Sequence, residues 1–266
     1  MTSDVPSRER AFVRLAGDAS AADRAGVAEE VAVAFVYSGR PHVVMMCTPD
    51  DLEDLAYGFS LTEGIIDRPA QIERVELARH ARGVEMSITI PAEAAARLSQ
   101  RTRSLAGRTG CGLCGVEAID DAVRAVRPVQ SQLTLATNAL WRAGESLDAH
   151  QPLNRETHAV HAAAWATPDG ALAVVREDVG RHNALDKVLG ALARAGTDAS
   201  TGFLVVTSRA SFELVQKASA AGVALLAAVS RPTGLAVRIA DESGITLVGL
   251  LRGRTANVYS HPERIT

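Results

Sequence analysis

Residues 202–229 decide the fold of this chain, and their sequence is GFLVVTSRASFELVQKASAAGVALLAAV. Apolar runs over residues 202–206 and 223–229 predict buried strands, and residues 212–221 between them predict an amphipathic helix. A strand, a helix and a second strand in this order are typical of a βαβ unit with parallel strands. An open α/β sheet is therefore expected in this half of the chain.

The alternation continues on both sides of this unit. A β-hairpin over residues 165–176 and a helix over 181–195 precede it, and a helix over 234–241 and a strand over 245–251 follow it. These elements predict a largely parallel sheet that helices cover on both faces. We assign this α/β domain to residues 134–266.

The first half predicts a smaller α+β domain over residues 1–104. Apolar runs on either side of the turn at residues 37–41 indicate a β-hairpin. A helix is expected over 52–61, and a second strand pair is expected over 72–78 and 83–90.

Composition and charge limit the classes of protein to which the chain can belong. The chain has 266 residues, 47% of them hydrophobic, and a formal net charge of −3, so it offers no overall attraction to nucleic acid or to anionic lipid. No stretch reaches the roughly 18 uninterrupted apolar residues of a membrane span. Three cysteines argue against a disulfide framework and favour a reducing compartment. We expect a soluble, cytoplasmic protein that binds neither nucleic acid nor membranes.

The most unusual motif is the cysteine pair in Gly110-Cys111-Gly112-Leu113-Cys114-Gly115, within a connector over residues 105–133. Glycine permits positive φ and lets a partner approach the sulfurs closely. Residues 116–126 predict a helix, which places both thiols near a helix N-terminus and favours the thiolate. The pair suits a zinc site, a thioredoxin-like dithiol or a persulfide-carrying nucleophile, and its spacing does not choose among them.

The surroundings of the pair favour a sulfur carrier. A zinc site would have to recruit His158 and His161, which match no common zinc-finger spacing and which we expect to form a pair on a strand. A zinc deaminase would carry a glutamate beside the histidine and a proline before the cysteines, and both are absent. A thioredoxin-like pair should follow a strand, whereas this one follows residues 97–108, which predict either a mobile connector or a solvated helix end. No metal is expected.

Polar residues recur directly after each predicted strand of the second half. They form four groups, at residues 177–178, 207–209, 230–233 and 252–254. At the carboxyl ends of strands in an open α/β sheet, helix N-termini present free amides to ligands, so a phosphate-bearing ligand is expected there. Helix capping and turn formation are the alternative for any one group taken singly.

Single side chains near these strand ends suggest more specific roles. Arg209 is a candidate phosphate ligand because its planar fork binds oxyanions bidentately. His182 and Asp186 lie one helical turn apart, so the carboxylate either orients the imidazole or forms a surface pair with it. Glu213 and Lys217 predict an ordinary helix pair.

Five ordered motifs give the chain a family resemblance. They are GRTGCGLCGVE at 107–117, THAVHAA at 157–163, EDVGRHNALDK at 177–187, SRASFELVQKA at 208–218 and AAVS at 227–230. From about Glu30 to the C-terminus the chain resembles the FdhD family, the formate dehydrogenase accessory sulfurtransferases.

The resemblance implies a cytoplasmic homodimer that accepts sulfane sulfur from a cysteine desulfurase. It implies transfer of that sulfur to the bis-molybdopterin guanine dinucleotide cofactor that formate dehydrogenase requires. Cys111 matches the family's persulfide cysteine, and Cys114 is its partner in the loop. The fold implied for residues 134–266 is a three-layer, cytidine-deaminase-like α/β domain without the deaminase zinc.

The resemblance also implies a cofactor-binding segment near the C-terminus, which consists of Leu250, Leu251, Arg252, Gly253, Arg254 and Thr255. Together with His182 and Arg209, this segment forms the expected cofactor-binding set. The alternative function is a non-catalytic chaperone that binds the molybdenum cofactor and contacts formate dehydrogenase through its loop cysteines. A zinc-stabilised module is a third hypothesis.

Overall fold

The computed structural model describes residues 5–106, 126 and 128–266, and in 100–106 the backbone only. Cys111, Cys114 and the helix predicted after them lie outside this part of the chain, so the predictions made for them stay predictions. A two-stranded, a four-stranded and a six-stranded sheet organise the described residues.

The N-terminal half holds an exposed hairpin and the four-stranded sheet. Its elements are β1 (Ser7–Ala16), β2 (Ala19–Ala28), β3 (Val31–Tyr37), β4 (Arg40–Cys47), α1 (Leu52–Thr62), β5 (Arg74–His80), β6 (Gly83–Thr89) and α2 (Ala92–Ala106). β1 and β2 form the hairpin, and the larger sheet has the order β4-β3-β6-β5. The predicted hairpin at β3 and β4, the helix α1 and the second strand pair are confirmed.

Alternating burial along β3 shows that this sheet has one covered face. Val33, Phe35 and Tyr37 are at most 1% exposed, while the residues between them are only partly buried. Phe59 of α1 packs on Phe35, with ring centroids 4.7 Å apart. The period-2 pattern therefore turns the apolar side of the sheet toward α1.

The arginine-rich segment is helical as far as it is described. α2 continues to Ala106, and Arg97 pairs with Glu93 at 3.1 Å and with Asp67 at 3.2 Å. Of the two alternatives for residues 97–108, the helix end is therefore confirmed for 97–106. No helix in the described part of the chain has both the length and the apolar character needed to cross a membrane.

The C-terminal half holds the six-stranded sheet and five helices in its described residues. Its elements are α3 (Thr137–Leu147), α4 (Pro152–Thr157), β7 (His161–Ala166), β8 (Leu172–Asp178), α5 (Arg181–Arg194), β9 (Phe203–Val206), α6 (Phe212–Ala220), β10 (Leu225–Ala228), α7 (Gly234–Ser243), β11 (Thr246–Arg252) and β12 (Thr255–Ser260). The strand order is β12-β11-β10-β9-β7-β8.

The six-stranded sheet is mixed, so the prediction of a largely parallel sheet is wrong at both sides. β9, β10 and β11 are parallel, but β7 is antiparallel to β8 and β9, and β12 is antiparallel to β11. Short turns connect β7 to β8 and β11 to β12, with Gly170 at φ 84° and Gly253 at φ 54°. A turn of this length joins only antiparallel strands, because a parallel connection needs a crossover.

Helices cover both faces of this sheet, as predicted. Leu204 and Val206 of β9 pack with the helices α5, α6 and α7. Phe203 and Val205 of the same strand point to the other face and pack with α3. The mixed α/β class in three layers is therefore confirmed, while the cytidine-deaminase-like description and the domain boundaries stay predictions.

Helices α1 and α5 pack directly against each other and join the two sheets. Two glycines allow this close approach. A Cβ at Gly58 of α1 would collide with the backbone of Asp186, and a Cβ at Gly190 of α5 would collide with the backbone of Asp54. The two helix backbones therefore touch at these points, and a larger residue would force the halves apart.

Buried ion pairs surround this helix contact. Asp54 of α1 pairs with Arg176 of β8 at 2.8 Å. Asp186 of α5 pairs with Lys217 of α6 at 2.8 Å and accepts a hydrogen bond from Thr62 of α1 at 2.7 Å. Burial raises the pKa of Asp186, and the Lys217 ammonium opposes that shift. The Asp54 and Asp186 carboxylates thus connect α1 to both β8 and α6.

A fully buried pair joins the two halves at the end of β8. Lys187 Nζ lies 2.7 Å from Asp178 Oδ2, and neither side chain is exposed. The same carboxylate accepts hydrogen bonds from the backbone amides of Thr48 at 3.1 Å and Gly180 at 2.8 Å, and from Asn183 Nδ2 at 3.0 Å. A charge pair withdrawn from water is stable only when such bonds satisfy its remaining oxygens.

Lys187→Met should lower the free energy of unfolding by about 3–5 kcal/mol, because it leaves the Asp178 carboxylate buried without its cation. Arg142→Met is the matched control, since Arg142 pairs with Asp169 on the surface and exposed pairs contribute little. Urea unfolding at neutral pH measures both variants. Equal losses would show that the buried pair stabilises the protein no more than the exposed one.

Candidate anion-binding site

The four polar groups predicted from the sequence gather at one edge of the six-stranded sheet. β8 runs in the same direction as β9, β10 and β11, because β7 is antiparallel to both β8 and β9. The carboxyl ends of these four strands therefore meet at one edge. We call this edge, with residues 177–182, 207–213, 230–234 and 250–255, the carboxyl edge.

The acidic residues of the carboxyl edge serve the fold rather than a ligand. Glu177 accepts hydrogen bonds from the backbone amides of Leu153 at 2.9 Å and Asn154 at 2.8 Å, which caps α4. Burial raises the pKa of Glu177. Asp178 is occupied by Lys187. Asp178 also accepts a hydrogen bond from the Gly180 amide in the turn that follows β8, at 2.8 Å. The alternative of helix capping and turn formation is therefore correct for this group.

Five arginines remain along the carboxyl edge. Arg181, Arg209 and Arg231 each stand three residues after the last residue of a strand, while Arg252 ends β11 and Arg254 lies in the turn to β12. Among the described residues, no carboxylate forms an ion pair with any of them. Guanidinium groups without an ion-pair partner attract anions.

Three helices begin at the same edge. α5 follows Gly180, α6 follows Ser211 and α7 follows Thr233. Thr233 caps its own helix by accepting a hydrogen bond from Ala236 at 3.2 Å, but Gly180 and Ser211 supply no side-chain cap. The first turns of α5 and α6 thus add the positive ends of two helix dipoles to the arginines.

His182 is held by Glu213 and not by Asp186. Its Nε2 lies 2.6 Å from Glu213 Oε2 and 3.3 Å from Ser211 Oγ. Asp186 is buried and pairs with Lys217, so both alternatives for a His182–Asp186 pair are wrong. The physical reason is that a buried ammonium needs a carboxylate more than a half-exposed imidazole does.

The predicted helix pair of Glu213 and Lys217 is wrong for the same reason. Lys217 turns inward and donates to Asp186 at 2.8 Å and to Glu63 at 3.1 Å, whereas Glu213 turns to His182. The hydrogen bond from His182 holds the pKa of Glu213 below its usual 4.5. The imidazole is thereby fixed in place at the carboxyl edge.

The predicted cofactor segment forms an irregular corner between β11 and β12. The register of this strand pair shifts between Gly249 and Arg252, and Leu250 adopts φ 55°. The left-handed region costs an ordinary residue about 1–2 kcal/mol. The Leu250 amide donates to the Ser230 carbonyl at 3.2 Å, so the loop after β10 holds the corner. A bulge of this kind re-aims the residues that follow it.

The residues of this corner differ in exposure. Residues 252–255 are exposed, whereas the Leu251 side chain is 2% exposed and packs in the core beside α3. Leu251 is therefore available to a ligand through its backbone only. Arg209 is exposed at the same edge. The predicted residues lie along the carboxyl edge, with His182 after β8 and residues 250–255 around the end of β11 at opposite sides of β7, β9 and β10, and cofactor binding by that set stays a prediction.

Two further arginines of this edge are not part of the cofactor-binding set expected from the sequence. Arg181 and Arg231 follow β8 and β10 at the same three-residue offset as Arg209 follows β9. This repeated offset is a signal that the sequence contains, once the strand ends are known.

His161 is a third residue without an assigned role. It opens β7 at the carboxyl edge, whereas His158 ends α4 in the left-handed region at φ 53°, so the predicted strand pair of histidines is wrong. Burial lowers the pKa of His161, and the charges of Arg181 and His182 lower it further. His161 lies opposite Asp178 in the pairing of β7 with β8, so it is at the carboxyl edge near the start of α5.

Known proteins share this chain's sequence and fold. A sequence model of the FdhD/NarQ family matches residues 28–266. Proteins named sulfur carrier protein FdhD are 52% identical over 256 residues in Xanthomonas campestris pv. campestris (strain B100) and 51% identical over 239 residues in Cupriavidus necator. These alignments cover 96% and 90% of this chain and 91% and 83% of the relatives.

A solved structure shares the architecture as well. The crystal structure from Desulfotalea psychrophila, described as that of a formate dehydrogenase accessory protein, is 25% identical in sequence and superimposes with a TM-score of 0.78. The match covers 98% of this chain and 99% of that chain.

Gly249→Ala should disturb the corner, because its Cβ would lie 2.8 Å from Pro232 Cδ and 3.0 Å from Tyr259 Cε2. Such overpacking destabilises a protein by about 1–3 kcal/mol. Gly234→Ala is the matched control, since the nearest atom to its Cβ is Arg238 Nη1 at 3.8 Å. Thermal unfolding compares the two. If both variants were equally stable, the corner would have room for a side chain.

Glu213→Gln should destabilise the protein by less than about 1 kcal/mol at neutral pH, because the half-exposed pair with His182 is partly screened. The folded-state pKa of Glu213 lies below its usual 4.5, so the carboxylate stabilises the protein above that pH. The difference between wild type and variant should shrink as the pH falls through the lowered pKa. Urea unfolding over a pH series measures it, and a difference that grows toward acid pH would contradict the assignment.

Proposed function

This chain belongs to the FdhD/NarQ family, and on that premise we propose that it is a sulfur carrier for the maturation of formate dehydrogenase. It accepts a sulfane sulfur from a cysteine desulfurase, holds it as a persulfide on Cys111 and transfers it to the bis-molybdopterin guanine dinucleotide cofactor. The names of its relatives support sulfur carriage and the link to formate dehydrogenase. The cofactor is the substrate, and the chain acts as a sulfurtransferase.

Loading of Cys111 is a thiolate exchange. The Cys111 thiolate attacks the terminal sulfur of the donor's cysteine persulfide, a new S–S bond forms on Cys111, and the donor leaves as a thiolate. No net oxidation or reduction takes place in this step. The helix predicted after Cys114 supports the step, because a helix N-terminus favours the thiolate form. Cys114 is proposed as the partner thiol in the same loop.

The single observation that carries the substrate class is the set of five arginines on the carboxyl edge. Among the described residues, none of them forms an ion pair with a carboxylate. The proposed substrate carries a pyrophosphate in each nucleotide tail, and guanidinium forks bind phosphate oxygens through two parallel hydrogen bonds. The amides at the starts of α5 and α6 offer further donors.

The proposed contacts with the substrate are residues 250–255, His182 and Arg209. Arg252 and Arg254 provide exposed guanidinium groups on the corner, and the imidazole of His182 is fixed by Glu213. The binding residues lie on strand ends and helix starts of one rigid sheet, which keeps them in place while the cysteine loop delivers sulfur. We further propose a homodimer as the working form, with formate dehydrogenase as the receiving enzyme.

Cys111→Ala should abolish activation of formate dehydrogenase, because no other residue is proposed to carry the sulfur. Mass spectrometry of desulfurase-treated protein should show one added sulfur on the Cys111 peptide of the wild type and none at that position in the variant. Cys47→Ala is the matched control, since Cys47 is fully buried at the end of β4 and should not alter loading.

Two results would contradict the proposal. Normal activation by the Cys111→Ala variant would remove Cys111 from the reaction. Failure of cyanide to release sulfane sulfur from loaded wild-type protein would support the non-catalytic chaperone instead.

A further inference from the structure

The β1–β2 hairpin is anchored to the rest of the described chain near its base. Ser7 Oγ donates a hydrogen bond to Glu156 Oε1 of α4 at 2.8 Å, and a Cβ at Gly26 would collide with the same glutamate side chain. β1 continues to Ala16, so the tip of the hairpin lies about 25 Å beyond this anchor. An isolated two-stranded hairpin is at best marginally stable in water, and its outer part therefore needs a surface to pack on.

One face of the hairpin is suited to water. Side chains at alternate positions of a strand share a face, and on this face Arg14 pairs with Asp23 at 2.6 Å while Arg10 pairs with Glu29 at 3.0 Å. The Arg14 guanidinium also lies 5.7 Å from the centre of the Phe12 ring. The charges of this face thus have partners, and its aromatic ring has a cation over it.

The opposite face of the hairpin is apolar and exposed. Val13 and Leu15 are 63% and 76% exposed. Ser7 and Gly26 lie on this same face, so the face that contacts α4 at the base continues, exposed, toward the tip. A contiguous apolar patch of this kind marks an interaction site. We call it the arm face, and it consists of Ala11, Val13, Leu15, Ser20 and Ala22.

A second exposed apolar surface lies on the four-stranded sheet. β3 turns Val33, Phe35 and Tyr37 toward α1, so the residues between them face away from that helix. There they pair with Val44 and Met46 of β4, which are 63% and 47% exposed. We call this surface the outer face, and it consists of Ala32, Ala34, Val36, Val44 and Met46.

The outer face contains a groove that suits apolar side chains. Its volume is about 470 Å³, and its lining includes Ala32, Ala34 and Val44. The two alanines are small and leave space for side chains from another element. Arg82 and Glu85 also line the groove, and their charges are of opposite sign. An apolar element therefore fits here better than a charged one.

Two copies of the chain can cover both surfaces. The arm face and the outer face are both exposed within one chain, so neither covers the other there. Only Glu29 and Glu30 link β2 to β3, and together with the contact to Glu156 this short link restricts any turning of the hairpin toward its own sheet. On two copies related by a twofold axis, each arm face meets the outer face of the other copy, and both contacts close.

We propose that the arm face of one copy packs on the outer face of the other, and that this reciprocal exchange forms the homodimer. Val13 and Leu15 enter the groove beside Ala32 and Ala34, and the packing of the two sheets face to face removes the apolar side chains of both from water. The inference rests on the proposed function for the dimeric state and supplies its interface.

Sedimentation of the full chain over a range of concentrations measures the dimer dissociation constant. The double variant Val13→Asp/Leu15→Asp should raise this constant tenfold or more, because burying an unpaired carboxylate in an apolar contact costs more than the roughly 1.4 kcal/mol of a tenfold change. Val44→Asp should act in the same way from the other side of the contact. Val27→Asp is the matched control, since Val27 is 47% exposed on the opposite face of the hairpin, and it should change the constant less than twofold.

A mixture of the two variants tests the exchange itself. In a mixed dimer, the intact arm face of the Val44→Asp chain meets the intact outer face of the Val13→Asp/Leu15→Asp chain, whereas neither variant's own homodimer contains such a contact. The mixed dimer should therefore be tighter than either of these homodimers. A mixed dimer that is no tighter would overturn the reciprocal exchange.

Three other results would overturn the interface. They are a wild type that stays monomeric at every concentration, a loss confined to one of the two variants, and an equal loss in Val27→Asp. Circular dichroism verifies folding, and Val44→Thr, which keeps the shape of the side chain, carries the prediction of a weaker dimer if Val44→Asp does not fold. Sulfur loading of Cys111 is measured separately. A chain that dimerises through these faces without loading would contradict the proposed function alone, and a chain that loads as a monomer would contradict the interface alone.

Discussion

The buried contact between Lys187 and Asp178 is the interaction on which the remaining geometry depends. Asp178 is the last residue of β8, and its carboxylate also binds the amides of Thr48 and Gly180. One anion therefore fixes the end of β4, the end of β8 and the start of α5. Because a charge in a low-dielectric interior needs its partners close by, these three chain segments have little freedom relative to one another. The same contacts therefore also hold the site residues at the start of α5 in place.

The same arrangement explains how a chain with a formal net charge of −3 presents a positive edge. Three acids of this region turn inward: Glu177 caps α4, Asp178 pairs with Lys187 and Asp186 pairs with Lys217. In the part of the chain that the structure describes, the arginines that follow the strands form no ion pair with a carboxylate. Buried carboxylates and exposed guanidinium groups thus lie only a few residues apart in the sequence. The electrostatic potential at this edge is therefore more positive than the net charge of the chain suggests.

Sequence patterns predicted the secondary-structure elements better than they predicted which side chains contact each other. Period-2 burial in β3 and the strand–helix alternation of residues 202–229 are local signals, and the corresponding elements formed as expected. The sheet has more antiparallel strand pairs than the sequence pattern indicates. The βαβ pattern at its centre predicts parallel strands, whereas short hairpin turns at its sides make β7 and β12 antiparallel to their neighbours. The polar groups were correctly placed at one edge. The side chains that pair with charged residues were not predicted correctly. Lys217, for example, binds Thr62 across 155 residues of sequence, and no local spacing indicates such a contact.

The glycine-mediated crossing of α1 and α5 has a consequence for biosynthesis. α1 leaves the ribosome well before α5 does, and at ordinary translation rates the interval is on the order of ten seconds. During that time the face of α1 around Gly58 is bare, and the Asp54 carboxylate is hydrated rather than paired. The nascent N-terminal sheet is therefore a natural client for chaperones that shield apolar surface, until the second half of the polypeptide arrives to cover it.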